Sequence, residues 1–189
     1  MKKKLLAILG SPHENGSTAA MLNYAVRIAA SEGWEITSIP LYEKQISFCK
    51  GCRTCIKTGQ CILKDDLGEI AGHIKTCDRI ILSAPTYWAN VPAVVKNLFD
   101  RLLGTAMEET ATFPRPRLSG KQDYLLLTAC NTPFPFSLLC GQSGGALRAM
   151  NEFFKTSGMK RLGAVTFSNA KGGAELPLRI TKKIERLLK

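Results

Sequence analysis

Five short, largely apolar runs, separated by stretches of helical spacing, restrict this chain more than any other feature of its sequence. The runs are Leu5 to Leu9, Ile36 to Ile39, Ile80 to Leu82, Tyr124 to Thr128 and Ala164 to Phe167. A strand exposed on one face alternates apolar and polar residues, whereas a strand covered on both faces is apolar throughout. Between the runs, apolar residues recur at three- and four-residue intervals. Met21, Leu22, Ala25, Val26 and Ala29 form one such stripe, Ile70 and Ile74 a second, and Val94, Val95, Leu98, Leu102 and Leu103 a third. Leu147, Met150, Phe153 and Phe154 form a fourth, and Ile180, Ile184, Leu187 and Leu188 a fifth. Buried strands alternating with one-faced helices predict an α/β fold, a doubly wound five-stranded parallel sheet with helices on both faces. The helix ends carry stop and start residues: Ser17 or Thr18 to cap the first, Asp66 with Glu69 as a capping box on the second, Pro92 in a first turn, and Gly104 and Gly158 as stops. One connection is long, from Gly104 to Gly120.

In such a sheet, ligands bind beyond the carboxyl ends of the strands where strand order reverses, so the loops after the first, third and fourth strands are the expected site. The chain has 189 residues, the size of one domain, and residues 1–189 are expected to form a single unit. No apolar run approaches the roughly 20 residues of a membrane-spanning helix, which argues for a soluble cytoplasmic protein without a signal peptide and against a membrane partner. The formal net charge is +11, with 26 Lys and Arg against 15 Asp and Glu. A basic field favours phosphate-bearing ligands or acidic protein partners, although the same charge also suits a merely solvated surface. Nucleic acid is not the expected partner, because no RNA-binding, zinc-finger or basic-zipper signature accompanies the charge.

The loop after the first strand, Gly10 to Thr18, holds Ser11, His13, Asn15, Gly16, Ser17 and Thr18. Free amides at a helix N-terminus together with hydroxyls satisfy the acceptor oxygens of a phosphate, and the helix dipole favours its charge. The loop lacks the Gly-Lys-Ser/Thr of a triphosphate site and the Gly-x-Gly-x-x-Gly of a pyrophosphate site, which leaves a monophosphate. The plainer reading makes Asn15, Ser17 and Thr18 turn and capping residues and His13 a surface side chain.

Four of the seven cysteines, Cys49, Cys52, Cys55 and Cys61, fall within residues 48–64. Two-residue gaps let three thiolates turn toward one centre, and Gly51 and Gly59 permit tight turns. Structural zinc sites pair two short hooks across a long spacer, so the spacing suits a [4Fe-4S] cluster better than zinc; free thiols without metal are the third reading. Lys50, Arg53, Lys57 and Lys64 interleave with the cysteines, where they would either stabilise an anionic cluster or solubilise the loop. Cys77 reads as a small buried hydrophobe, while Cys130 and Cys140 flank an expected ligand loop.

A third stretch, Ala84 to Pro92, contains Pro85, Thr86, Tyr87, Trp88, Ala89 and Asn90 and is followed by Lys96 to Arg101. Tyr87 and Trp88 read either as packing groups or as aromatics beside a flat cofactor ring, and the position after the third strand favours the ring. With the phosphate loop and the cysteines running into Lys64-Asp65-Asp66-Leu67, this stretch resembles the iron-sulfur flavoproteins of the NADPH-dependent FMN reductase family, closely over residues 3–103 and loosely beyond. The resemblance implies a flavodoxin-like fold binding FMN. Its phosphate would lie in the loop Ser11 to Thr18, and its ring would lie against Pro85 to Asn90. The resemblance also implies a homodimer or homotetramer with the flavin near a subunit interface. The third flavin loop, at Ala129, Cys130 and Asn131, departs from the family, because Thr128 to Phe136 replaces a Gly-Gly-Ser-Arg-like turn.

The expected activity is FMN-dependent oxidoreduction, with NAD(P)H as donor, a small molecule or protein as acceptor, and a [4Fe-4S] cluster, which air can remove, for electron transfer. A non-catalytic carrier fed by ferredoxin is the second reading and a zinc-stabilised basic binding module the third. No catalytic side chain is required, and two histidines without a nucleophile constellation argue against hydrolysis or acyl transfer. Arg115 and Arg117 read as solvated loop residues in preference to binders of an NADP 2'-phosphate.

Overall fold

A computed structural model describes residues 2–189. The chain begins with β1 (Lys4–Leu9), α1 (Ser17–Ser31) and β2 (Glu35–Pro40), followed by a 3-10 turn at Leu41–Glu43. After the cysteine loop with its five-residue helix α2 (Thr54–Thr58) come α3 (Leu67–Thr76), β3 (Arg79–Pro85), α4 (Ala93–Arg101) and the one-turn α5 (Leu103–Ala106). The remainder is β4 (Met107–Glu108), β5 (Arg115–Pro116), β6 (Asp123–Cys130), α6 (Phe136–Leu139), α7 (Gln142–Thr156), β7 (Lys160–Ser168) and α8 (Leu178–Leu188). The main sheet is five-stranded in the order β2-β1-β3-β6-β7, with every pair parallel. This is the flavodoxin-like order, and its direction reverses between β1 and β3.

Each predicted apolar run lies within one strand of this sheet, and residues alternate between two cores. Leu6, Ile8, Ile80, Leu82, Tyr124 and Leu126 face α3, α4 and α7. Leu5, Ala7, Ile81, Leu125, Leu127 and Val165 face α1 and α8. Aromatic packing seats α7, with Tyr124 and Phe154 stacked at 4.8 Å and Phe99 of α4 and Phe153 stacked at 4.5 Å. At the amino end of the sheet Arg79 grips Asp123 through two hydrogen bonds of 2.6 and 2.9 Å, tying β3 to β6.

The structure corrects several expected helix ends. Gly16, not Ser17 or Thr18, is the N-cap of α1, so both hydroxyls lie in the first turn and no side chain caps the helix. The Asp66 and Glu69 capping box does not form. The Asp66 carboxylate instead accepts the Gln45 amide at 2.7 Å, and the Leu67 amide donates to Asp65. Gly104 lies inside α5, whereas Gly158 does follow α7 in the left-handed region at φ 90°. The long connection contains a minimal antiparallel pair, β4 with β5. Among the described residues no helix is long and apolar enough to cross a membrane.

Candidate cofactor site

The loop between β1 and α1 sits at the carboxyl end of the sheet, beside the strand-order reversal. Gly10 is held by its amide to the Ser83 carbonyl at 2.8 Å. A Cβ there would stand 2.4 Å from Val95, so glycine lets the loop pass against α4. Ser83 donates to the Thr18 carbonyl at 2.8 Å and fixes the first turn of α1 to β3. Ser11, Ser17 and Thr18 are buried, and Ser17 donates to the Gly173 carbonyl in the loop after β7. His13 and Asn15 are exposed; the His13 amide donates to Ser11 Oγ and its carbonyl accepts the Gly16 amide. An uncapped helix start surrounded by three hydroxyls has the donors and the dipole for a dianionic monophosphate.

Across the reversal, Pro85 pairs in register with Ala129, and the Thr86 amide donates to the Ala129 carbonyl at 2.9 Å. Thr86 and Thr128 share a hydroxyl contact of 3.2 Å. The chain then makes a tight turn, with Tyr87 and Asn90 exchanging both amide hydrogen bonds while Trp88 and Ala89 sit at φ 52° and 56°. Two successive left-handed non-glycine residues cost about 1–2 kcal/mol each, a strain more common at functional sites than elsewhere. The turn persists because its back is packed: a Cβ at Gly145 of α7 would fall 1.8 Å from the Ala89 carbonyl oxygen. Asn90 accepts the Val91 amide, and Trp88 is fully exposed (100%), so its ring buries nothing within this chain. Cys130 is buried with its thiol toward the Thr132 carbonyl, Asn131 is exposed, and Cys140 is exposed on the following segment.

Cys49, Cys52, Cys55 and Cys61 line one cavity of about 60 Å³ together with Lys50, Arg53 and Arg101. Among the described residues their sulfurs do not converge to ligating distance. All seven cysteines are free thiols. Gly51, Arg53 and Gly59 adopt left-handed conformations at φ 66°, 59° and 73°, which fold the loop back around the cavity. Hydrogen bonds from Thr54 at the start of α2 hold the Cys52 thiol below its ordinary pKa, as Lys50 does more weakly. Four sulfur donors on a largely apolar wall that also carries Lys50, Arg53 and Arg101, with Asp100 as its one acidic residue, fit an anionic sulfur-rich cluster. Burial raises the thiol pKa of Cys77, at the C-terminal end of α3, to about 12.

Arg117 proves to be neither solvated nor aimed at a nucleotide. Its guanidinium donates to the carbonyls of Gly104 at 3.0 Å and Ile56 at 2.9 Å, riveting α2 to α5.

A sequence model of the NADPH-dependent FMN reductases matches residues 3–167. This chain belongs to that family. An iron-sulfur flavoprotein of Archaeoglobus fulgidus is 35% identical over 118 residues, 62% of this chain and 50% of the relative. One from Methanocaldococcus jannaschii is 39% identical over 98 residues, 52% of this chain and 51% of the relative. The chain thus spans about half the length of the curated relatives it matches. Among solved structures, an FMN-dependent NADH-azoreductase from Bacillus anthracis in complex with FMN superposes with a TM-score of 0.75 at 13% identity, covering 100% of this chain and 98% of that one. An NAD(P)H:quinone oxidoreductase from Methanothermobacter marburgensis superposes at 0.71 and 14%, covering 100% and 94%. These structures establish the flavodoxin-like fold of this family member.

Sequence reasoning located the three loops but missed the residues that seat them. Asp65 and Arg101 join into a buried ion pair across 36 positions, and Gly104 and Gly145 provide close approaches that no local pattern reveals. The only local sign at Gly145 is the Gly144-Gly145 pair opening α7.

Proposed function

We propose that this chain is an FMN-dependent oxidoreductase that takes electrons from NAD(P)H and carries a [4Fe-4S] cluster on Cys49, Cys52, Cys55 and Cys61. FMN accepts a hydride from a nicotinamide and releases electrons in pairs or singly, and an iron-sulfur cluster exchanges them one at a time. The residues of the chain bind and orient. Ser11, Ser17 and Thr18 with the open start of α1 hold the phosphate, His13, Asn15 and Gly16 border it, and the Pro85 to Asn90 turn and Ala129 to Asn131 border the ring. The observation that carries the FMN reading is the uncapped, hydroxyl-ringed start of α1 beside the strained Tyr87–Asn90 turn. The presence of all four cysteines in the lining of one cavity, with Lys50, Arg53 and Arg101 beside them, supports the cluster.

Tyr87 and Trp88 are exposed on the Pro85 to Asn90 turn, and Phe134, Phe136, Leu138 and Leu139 on the segment after β6. This apolar set favours a homodimer or homotetramer that covers the ring site. The +11 charge favours a second reading, a carrier reduced by an acidic ferredoxin without nicotinamide turnover.

The test is a visible spectrum of anaerobically purified protein with iron, sulfide and flavin assays on the same sample. Flavin bands over a broad shoulder with about four irons per chain support the proposal, and a colourless zinc protein refutes it. Rapid flavin bleaching by NAD(P)H selects the reductase, and bleaching only by reduced ferredoxin selects the carrier.

A further inference from the structure

Arg101, at the end of α4, is among the largest fully buried side chains of the protein, 2% exposed. Its Nη1 and Nη2 donate to the two Asp65 oxygens at 2.9 and 3.0 Å, and Nη1 also donates to the Ser47 carbonyl. Asp65 in turn accepts the amides of Ser47 at 3.0 Å and Leu67 at 3.2 Å. One turn earlier on α4, Asn97 donates to the carbonyls of Ile46 and Ser47. Helix α4 therefore clamps both ends of the cysteine loop, the entry at 46–47 and the exit at 65–67. That clamp uses the two Nη groups. The remaining direction of the fork, Nε–H, points at Cys61 Sγ at 3.3 Å, a contact the Asp65 pair does not need.

We infer that Arg101 is the positioning and tuning residue of Cys61: it holds the sulfur through Nε–H and favours the reduced state of the cluster that Cys61 ligates. The inference rests on the cluster reading above. One electron added to a cluster increases the negative charge on its ligand sulfurs, with no proton taken up and no bond broken. An N–H donor on a permanent cation therefore binds the reduced state more strongly than the oxidised one. Burial keeps water and salt from screening the interaction, whereas Lys50 and Lys57, exposed on the same loop, are screened. Asp65 offsets part of the charge and sets the orientation of the fork, an outer-shell partner acting on a ligand through a second residue.

The test is a redox titration of anaerobically reconstituted holoprotein, poised with dithionite and mediators. Wild type is compared with Arg101→Gln, Arg101→Lys and Asp65→Asn, with the FMN potential in each sample as internal control. Arg101→Gln is expected to lower the equilibrium constant for cluster reduction about tenfold, about 59 mV for one electron. Arg101→Lys, which keeps the charge and loses the Nε–H···S bond, falls between, and Asp65→Asn moves the constant upward. FMN stays at its wild-type potential throughout. A merely structural clamp would change iron content in all three variants without opposite shifts of potential. Where Arg101→Gln loads no iron, Arg101→Lys and Asp65→Asn decide. Wild-type cluster potentials in iron-replete variants, or an Asp65→Asn shift in the same direction as Arg101→Lys, overturn the inference. A wild-type protein that takes up no iron and sulfide on reconstitution overturns the cluster reading itself, a failure visible before any variant is made.

Discussion

Replacing Gly104 with Ala places a methyl group against the backbone of the cysteine loop. The added Cβ would stand 2.1 Å from the Cys55 carbonyl oxygen, 2.6 Å from its carbonyl carbon and 2.8 Å from its Cβ. An ordinary carbon–oxygen contact is about 3.3 Å, so α2 must retreat from α5 by about 1.2 Å. That retreat stretches the Arg117 bridge, whose bonds to Gly104 and Ile56 now measure 3.0 and 2.9 Å. Overpacking costs about 1–3 kcal/mol and losing charged hydrogen bonds about 1.5–3, while Ala in the helical turn returns about 1. The net is roughly 1.5–5 kcal/mol, a fall in Tm of roughly 3–20 °C for a chain of this size. Because α2 has no buried residue, part of the cost escapes through local detachment, which shows as lost iron. The assay is calorimetric or circular-dichroism melting of the apo protein, with iron and FMN per chain after reconstitution. Gly72→Ala is the control: a Cβ there meets nothing within 4 Å, so that variant gains about 0.5–1 kcal/mol from helix propensity. Wild-type Tm and full iron in Gly104→Ala would refute the argument that this contact seats the loop.

Ser17→Ala with Thr18→Ala should weaken FMN retention about tenfold, the loss of one or two hydrogen bonds to a charged group, and leave iron content intact; Cys55→Ala should do the reverse. Normal FMN affinity in the first variant or unchanged iron in the second, read by ultrafiltration and metal assay, counts against the respective site. The Asp65 carboxyl carries a pH dependence: burial pushes its pKa up, but Arg101 and the Ser47 and Leu67 amides outweigh burial and hold it below the ordinary carboxylate value. A group depressed in the folded state contributes stability that is present above its unfolded value and fades as pH falls through its folded one. The stability gap between wild type and Asp65→Asn should therefore narrow below about pH 4 in acid-unfolding titrations, and a constant gap would contradict the ion pair. Cys140, being exposed, should be alkylated readily by iodoacetamide at pH 8, while Cys77, buried and raised to about 12, should react only in denaturant. Peptide mapping that found Cys77 labelled early in the native protein would contradict its placement.

Both the strands and the long helices were legible because each is set by local pattern. Continuous apolar runs demand cover on two faces, and stripes at three- and four-residue spacing demand cover on one, so alternation alone yields the doubly wound sheet. The cysteine spacing and the hydroxyl-rich loop were legible for the same reason, since the residues in each are near neighbours in the chain. The cap at Gly16 was misread as Ser17 or Thr18 because a serine near a helix start usually caps it; here the hydroxyls turn inward, and Ser17 takes the Gly173 carbonyl 156 positions away. The capping box at Asp66 failed because its carboxylate bonds to the Gln45 amide, and Asp65 takes the Leu67 amide while pairing with Arg101.

From its sequence alone, this chain has its α/β class, the location of the three loops at the carboxyl end of its sheet and its stock of sulfur and hydroxyl donors, all consequences of spacing along one strand, helix or turn. Only the tertiary structure decided that the buried Arg101 and the half-buried Arg117 fasten the cysteine loop, that Gly104 and Gly145 are close-approach points, and that Trp88 stands free on a strained turn. Those roles depend on which segments meet across the sheet, and a contact between residues tens of positions apart leaves no periodic mark on either partner.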